Sequence, residues 1–149
     1  MKKIKNLSLI FIIIFFNACG YEPLNKNNSG NTIFISEKIF LGNNKINRKI
    51  FNKLNLEENN SGFIFELNSM KNIDGVSKDK SGNITTYKTT ITTLVSLIEN
   101  EKVIKSKTFS KSFNYSNIIN KFDLSKYQKD VEKNLINSIS NDIKIFLYN

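Results

Sequence analysis

ITTYKTTITTLVSLI, Ile84 to Ile98, alternates in type for most of its length. Tyr87, Thr89, Ile91, Thr93, Val95 and Leu97 fall on one parity, while Lys88, Thr90, Thr92 and Ser96 fall on the other. Successive side chains of a strand point to opposite faces, so this pattern is a long antiparallel strand with one wet face. Glu99 to Lys102 (ENEK) makes a short turn into Val103 to Tyr115. There Val103, Phe109, Phe113 and Tyr115 share one parity and Ser106, Thr108, Ser110 and Ser112 the other. Pattern and loop length together predict a hairpin.

Working outward toward the N-terminus, Phe63, Phe65 and Leu67 alternate with Ile64, Glu66 and Asn68 as in a preceding strand. Asn72 to Asn83, with Gly75, Gly82 and several charges, reads as the loop that joins it to the long strand. Before the turn-rich Glu57 to Gly62, residues Ile46, Ile50, Phe51 and Leu54 recur at helical spacing behind Asn43 or Asn44 as N-cap. Lys45 to Leu54 is therefore a predicted amphipathic helix with Lys45, Arg48 and Lys49 on its polar side. Thr32 to Ser36 (TIFIS) is a first short strand. Toward the C-terminus, Ser116 to Phe122 reads as a loop, and Ser125 to Gln128 fits a capping box. Behind it Tyr127, Val131, Leu135, Ile139 and Ile143 step by four, joined by Ile136, Phe146 and Leu147, in an apolar stripe that needs a sheet to cover.

The order is β-α-β-β-β-α, an α+β domain over residues 32–149. If the first two strands are neighbours, the helix between them makes a parallel crossover and the last three strands form a meander. A four-stranded mixed sheet results. Only one of its faces has apolar parity, so both helices are expected there, with the Thr/Ser/Lys face turned to water or a partner.

Residues 1–31 are of another kind. Lys2, Lys3 and Lys5 form a basic segment before the ten-residue apolar run Leu7 to Phe16. That run is half the roughly 20 residues a spanning helix needs and reads as a secretory signal. Ala18 precedes Cys19, the single cysteine of the chain, as lipoprotein processing requires. Residues 1–18 are thus a predicted signal peptide, and Cys19 the lipidated first residue of the mature chain. Residues 19–31, ending in NKNNSGN, form a flexible tether. Each buried methylene contributes about 0.8 kcal/mol, so several acyl chains on Cys19 would anchor the protein durably without spanning the bilayer.

The net charge is +9, and removal of the three signal-peptide lysines leaves +6. That favours an anionic partner, or follows simply from a composition rich in Asn, Lys and Ile. Export removes nucleic acid from the possible partners. The chain has no histidine, which takes away the commonest general base and a usual zinc ligand. With one cysteine it can form no internal disulfide. Ser77 and Lys80 match a Ser-x-x-Lys spacing but sit in a charged segment without the partner motifs of such enzymes. The adjacent Glu57 and Glu58, and Asp130 and Glu132 two apart on a helix, point different ways and read as solvated charges, not as acid and base.

Cys19-Gly20-Tyr21-Glu22-Pro23-Leu24 resembles the mature start, Cys-Gly-Phe/Tyr-x-Pro-Leu, of the LPS-assembly lipoprotein family, LptE. The long alternating strand, the strand ending Ser112 to Tyr115 and the final amphipathic helix are similar to that family's C-terminal half. The resemblance implies a non-enzymatic subunit without cofactors. Such a subunit sits inside the outer-membrane β-barrel LptD, helps it assemble and aids delivery of lipopolysaccharide to the outer leaflet. Gly20 is compatible with outer-membrane sorting. An anchored domain without catalytic equipment also suits a second class, a carrier holding an amphiphile in a groove between helices and sheet. For direct lipopolysaccharide contact the candidates are Lys71, Lys78 and Lys80, around the loop with Gly75 and Gly82; the alternative for them is solvated loop charge.

Overall fold

The computed structural model describes residues 33–149. The segments expected as signal peptide (residues 1–18) and tether (residues 19–31), with Cys19, and Thr32 lie outside the described residues. Five strands and two helices follow: β1 (Phe34–Gly42), α1 (Asn44–Leu54), β2 (Glu57–Glu58), β3 (Phe63–Lys78), β4 (Ile84–Glu99), β5 (Lys102–Ser116) and α2 (Lys121–Tyr148). The sheet order is β2-β1-β3-β4-β5. β1 pairs in parallel with β2 and with β3, and β3, β4 and β5 form an antiparallel meander. The α+β fold with its mixed sheet is as expected. The fifth strand is the two-residue β2, hidden within a turn-rich segment and too short to carry a period.

The alternation of β4 does what its residue types require. Thr89, Ile91, Thr93, Val95 and Leu97 are buried beneath the helices. Beside them on β3 lie Phe65, Leu67 and Ser69, paired with Leu97, Val95 and Thr93. The buried hydroxyls find partners: Ser69 and Thr93 are 2.8 Å apart, and Thr89 lies 3.0 Å from the Tyr115 hydroxyl. Polar groups are tolerated in a core on those terms. From above, α2 contributes Val131, Leu135, Ile136, Ile139, Ile143 and Leu147, and α1 contributes Ile46, Ile50 and Leu54. Each such side chain stabilises by about 1.5–3 kcal/mol on full burial. α2 packs on β4 and β5, α1 on β1 and β3, and the two helices touch.

The start of α1 is set by Asn43, whose side-chain oxygen accepts from the Ile46 N–H at 3.2 Å. Gly42, at φ +67°, makes the turn into it beside the Ser69 carbonyl, which accepts from the Asn43 N–H at 2.7 Å. α2 begins earlier than the capping box at Ser125 suggested. Asn120 caps it instead, accepting from the N–H groups of Phe122 at 2.9 Å and Asp123 at 3.4 Å. Asp123 then sits in the first turn, where a negative charge suits the helix dipole.

Three readings of the strands differ from expectation. The first strand does not end at Ser36: β1 runs on to Gly42, because Glu37 to Gly42 find parallel partners in Ile64 to Ser69 of β3. The region 72–78 is strand, not loop, with Asn72, Ile73 and Asp74 paired to Thr90, Thr89 and Lys88. Its own residues favour turns, but the Thr- and Tyr-rich start of β4 supplies a ladder partner. Val103 does not share a face with Phe109. The ladder passes from the Leu97–Lys105 pair to the Ile98–Val103 pair, leaving Ile104 as an extra residue, and this bulge turns Val103 to the open face, 61% exposed.

Candidate functional site

Four features stand out. The first is a charge clasp. Glu132, nearly buried on α2, accepts from the ammonium groups of Lys49 on α1 and Lys71 on β3, each at 2.7 Å. Burial pushes its carboxyl pKa up, but the two lysine hydrogen bonds and their charges outweigh that and hold it below the usual range. One carboxylate thereby ties both helices to the sheet.

Lys71 is therefore a structural partner and not a loop charge. Of the three lysines expected around a loop, the structure separates it from the others: Lys71 and Lys78 lie on one strand, about 23 Å apart at strand rise. Lys78 and Lys80 are exposed at the end of the β3–β4 hairpin.

That hairpin is the second surface. β1 ends opposite Ser69, so from Met70 onward β3 is an edge strand, and residues 72–83 are all exposed. The arm is closed by a tight turn. The Gly82 N–H donates to the Asp79 carbonyl at 3.0 Å and the Asp79 N–H to the Asn83 carbonyl at 2.9 Å, with Gly82 left-handed at φ +86°. This is a three-residue hairpin loop with glycine at its left-handed position. The Asp79 carboxylate accepts from the N–H groups of Ser81 and Asn83 and from the Asn83 amide. Hydrogen bonds from Asn83, backbone first, hold its pKa below the usual value.

The third surface is a cleft of about 560 Å³ between β5 and the C-terminal half of α2. Phe109 and Phe146 meet edge to face in it, with ring centroids 5.7 Å apart. Lys105 and Lys107 stand over the Phe146 ring at 4.7 and 5.7 Å, and Lys107 also over Phe109 at 5.4 Å. Lys111 is paired to Asp142 at 2.7 Å. This basic, aromatic cleft was not foreseen, although Lys105, Lys107, Phe109 and Lys111 share one parity of the strand. Opposite the helices, the open sheet face carries a hydroxyl ladder, with Thr92 to Ser110 at 3.1 Å and Ser96 to Ser106 at 3.2 Å. Leu94, Met70 and Ile98 interrupt it.

Among the described residues no helix is long and apolar enough to cross a membrane. No protein-family model matches the chain, and no curated protein does. Solved structures do match. The rare lipoprotein B of Shewanella oneidensis aligns with a TM-score of 0.56 at 10% identity, covering 75% of this chain and 94% of that one. A minor lipoprotein of Acinetobacter baumannii gives 0.53 at 10% identity over 74% and 90% of the two chains. A lipoprotein B of Nitrosomonas europaea gives 0.53 at 12% identity over 80% and 90%. The domain of residues 33–149 has the fold of these bacterial lipoproteins.

Proposed function

We infer that this protein is an outer-membrane lipoprotein that binds and plugs an LptD-type β-barrel, assisting barrel assembly and the insertion of lipopolysaccharide into the outer leaflet. The observation that carries this reading is a fold shared with lipoproteins of three bacteria, in a chain whose Cys19 to Leu24 resembles the start of the LPS-assembly lipoproteins. Cys19 holds the domain at the membrane. The hydroxyl-rich open face and the exposed arm are surfaces that a polar barrel wall can match, since the lumen of such barrels is polar. The second reading, an amphiphile carrier with its groove between helices and sheet, fits less well. Phe65, Leu67, Ile91, Val95, Ile139 and Ile143 fill that layer. Lys78 and Lys80, at the arm's tip, are the two lysines left for lipopolysaccharide phosphates.

The test is purification of the tagged full chain from membranes in mild detergent. A stoichiometric large β-barrel is expected with it, and Cys19→Ser should lose both membrane partitioning and the barrel. Recovery of the lipidated chain without any barrel would refute the reading. Lys78→Glu with Lys80→Glu should weaken lipopolysaccharide binding at low salt and leave folding intact; unchanged binding would confine the role to the barrel.

A further inference from the structure

β5 is an edge strand along its whole length, with β4 on one side and no described strand on the other. Alternate residues therefore turn backbone N–H and C=O groups outward, a ready template for one more strand. Its sequence, KVIKSKTFSKSFNYS, has four lysines and no acidic residue. Lys105, Lys107 and Lys111 occupy the parity that faces α2, while Ser106, Thr108, Ser110 and Ser112 occupy the other. Pairing of two β5 edges would set lysine rows on the same face of one sheet, so the charge opposes self-association. For an acidic strand the same charges attract.

The cleft adds a second argument. Every second side chain of a strand laid beside β5 would point toward the Phe109 and Phe146 rings. Among the described residues the ammonium groups of Lys105 and Lys107 have no carboxylate partner, whereas Lys111 has Asp142. These two lysines stand at the i, i+2 spacing of a strand, about 6.6 Å along its axis, which is the spacing of alternate carboxylates on a neighbouring strand. A lipid headgroup would use the lysines but leave the backbone edge unpaired.

We propose that β5 accepts an extended, acidic segment of a partner protein as a sixth strand, with carboxylates at alternate positions meeting Lys105 and Lys107 in the cleft beneath α2. The recognition is by β-strand addition, with main-chain hydrogen bonds for affinity and alternate side chains for selectivity. It goes beyond the barrel reading, because edge, charges and cleft belong to this chain whichever protein supplies the segment.

The experiment uses the full chain in detergent and two fluorescent peptides of about ten residues. One alternates Glu and Thr; the other alternates Glu and Pro, with the same charge and a backbone that cannot join a sheet. The Glu-Thr peptide should bind roughly tenfold more tightly, and Lys105→Gln with Lys107→Gln should remove roughly tenfold of its affinity. Hydrogen exchange of β5 amides in the wild-type chain should slow on binding, a readout that does not depend on how the variant folds. Equal affinity for both peptides, no binding of either, or binding without β5 protection would overturn the proposal. So would displacement of the peptide by micelles containing phosphatidylglycerol that leave β5 exchange unchanged, which would make the cleft an anionic-lipid site.

Discussion

Leu67 and Ile73 lie on the same strand and the same face, yet Leu67 is fully buried while Ile73 is 40% exposed. Between them, at Ser69, β1 ends. Up to that point β3 is a central strand under α1, fixed by apolar burial. Beyond it β3 is the edge of the sheet, paired only with β4, which itself stays paired with β5 as far as Thr86; the arm is this edge and the hairpin end, held by ladder hydrogen bonds and by the turn at Asp79 to Asn83. One strand thus belongs to two regimes. The part under the helices is expected to carry the global stability, and the arm to open at lower free energy, as regions with few buried apolar contacts do.

The contrast is broken most severely inside the covered half. Ile91 has no exposed surface, and an unpaired carboxylate there has no compensating partner. Ile91→Asp should cost about 4 kcal/mol or more, a large part of the 5–15 kcal/mol that ordinarily holds a domain folded. Thr92→Asp, one residue on and facing the open side, loses a 3.1 Å hydroxyl contact with Ser110 and should cost under about 1 kcal/mol. Urea denaturation of both variants measures the difference. Equal midpoints would mean that β4 does not divide its faces as described.

Next in size is the clasp at Glu132. Removing its charge leaves Lys49 and Lys71 facing each other; with both lysines partly exposed, Glu132→Gln should cost about 2 kcal/mol, below the range for fully buried pairs. The pH dependence follows from the lowered carboxyl pKa. Its stabilisation is present above the unfolded value, near 4.3, and is lost as pH falls through the lower folded value. Melting temperatures between neutral and acid pH should therefore fall more steeply for the wild type than for Glu132→Gln. Parallel curves would show that the clasp contributes nothing. Lys71→Glu would bring two carboxylates together here, so its effect would report on folding and not on lipid contact.

What could be read beforehand follows the same division. The faces of β4, the stripe of α2 and the Asn43 cap were legible, because burial and capping impose local periods and residue types. The strand character of 72–78 was not: both its faces are wet, its residues favour turns, and its ladder is set by β4. The role of Lys71 was hidden because its partner Glu132 is distant in sequence and chosen by packing. Val103 was misplaced by a bulge that changes parity without a mark in the sequence. At α2, Ser125 with Gln128 was as good a local start as Asn120; the structure prefers the earlier cap, which keeps Lys121 to Leu124 helical. The lysine row of β5 was visible as parity, but its meaning depended on finding α2 alongside and no strand beyond.

Loosening the arm should leave the core unmoved. Gly82 is left-handed with open space around it, so Gly82→Ala meets backbone strain and no clash, a cost of about 1 kcal/mol. Asp79→Ala removes the carboxylate that accepts from Ser81 and Asn83. In both variants, amides of residues 72–85 should exchange faster while those of Phe65, Leu67 and Val95 keep their protection. Equal acceleration in both sets would show that arm and core open together and would dissolve the distinction between them.

The smallest effect is expected at the opposite hairpin, between β4 and β5. Asn100 and Glu101 both have positive φ, 48° and 62°, as the central residues of a type I′ turn must. Asn tolerates that conformation through its short polar side chain; Glu gains nothing there and bears the steric penalty of its Cβ, on the order of 1 kcal/mol. Glu101→Gly relieves the strain but gives the unfolded chain more freedom, which takes back part of the gain. A net stabilisation of about 0.5 kcal/mol should remain, visible as a rise in melting temperature of a few degrees at most. Asn100→Gly, with less strain to relieve, should change little. This turn closes strands that reach the covered core, so its stabilisation should appear in the global transition, whereas the changes at Asp79 and Gly82 should not. A Glu101→Gly effect confined to local exchange near residues 99–102 would place this end of the hairpin, too, outside the cooperative core.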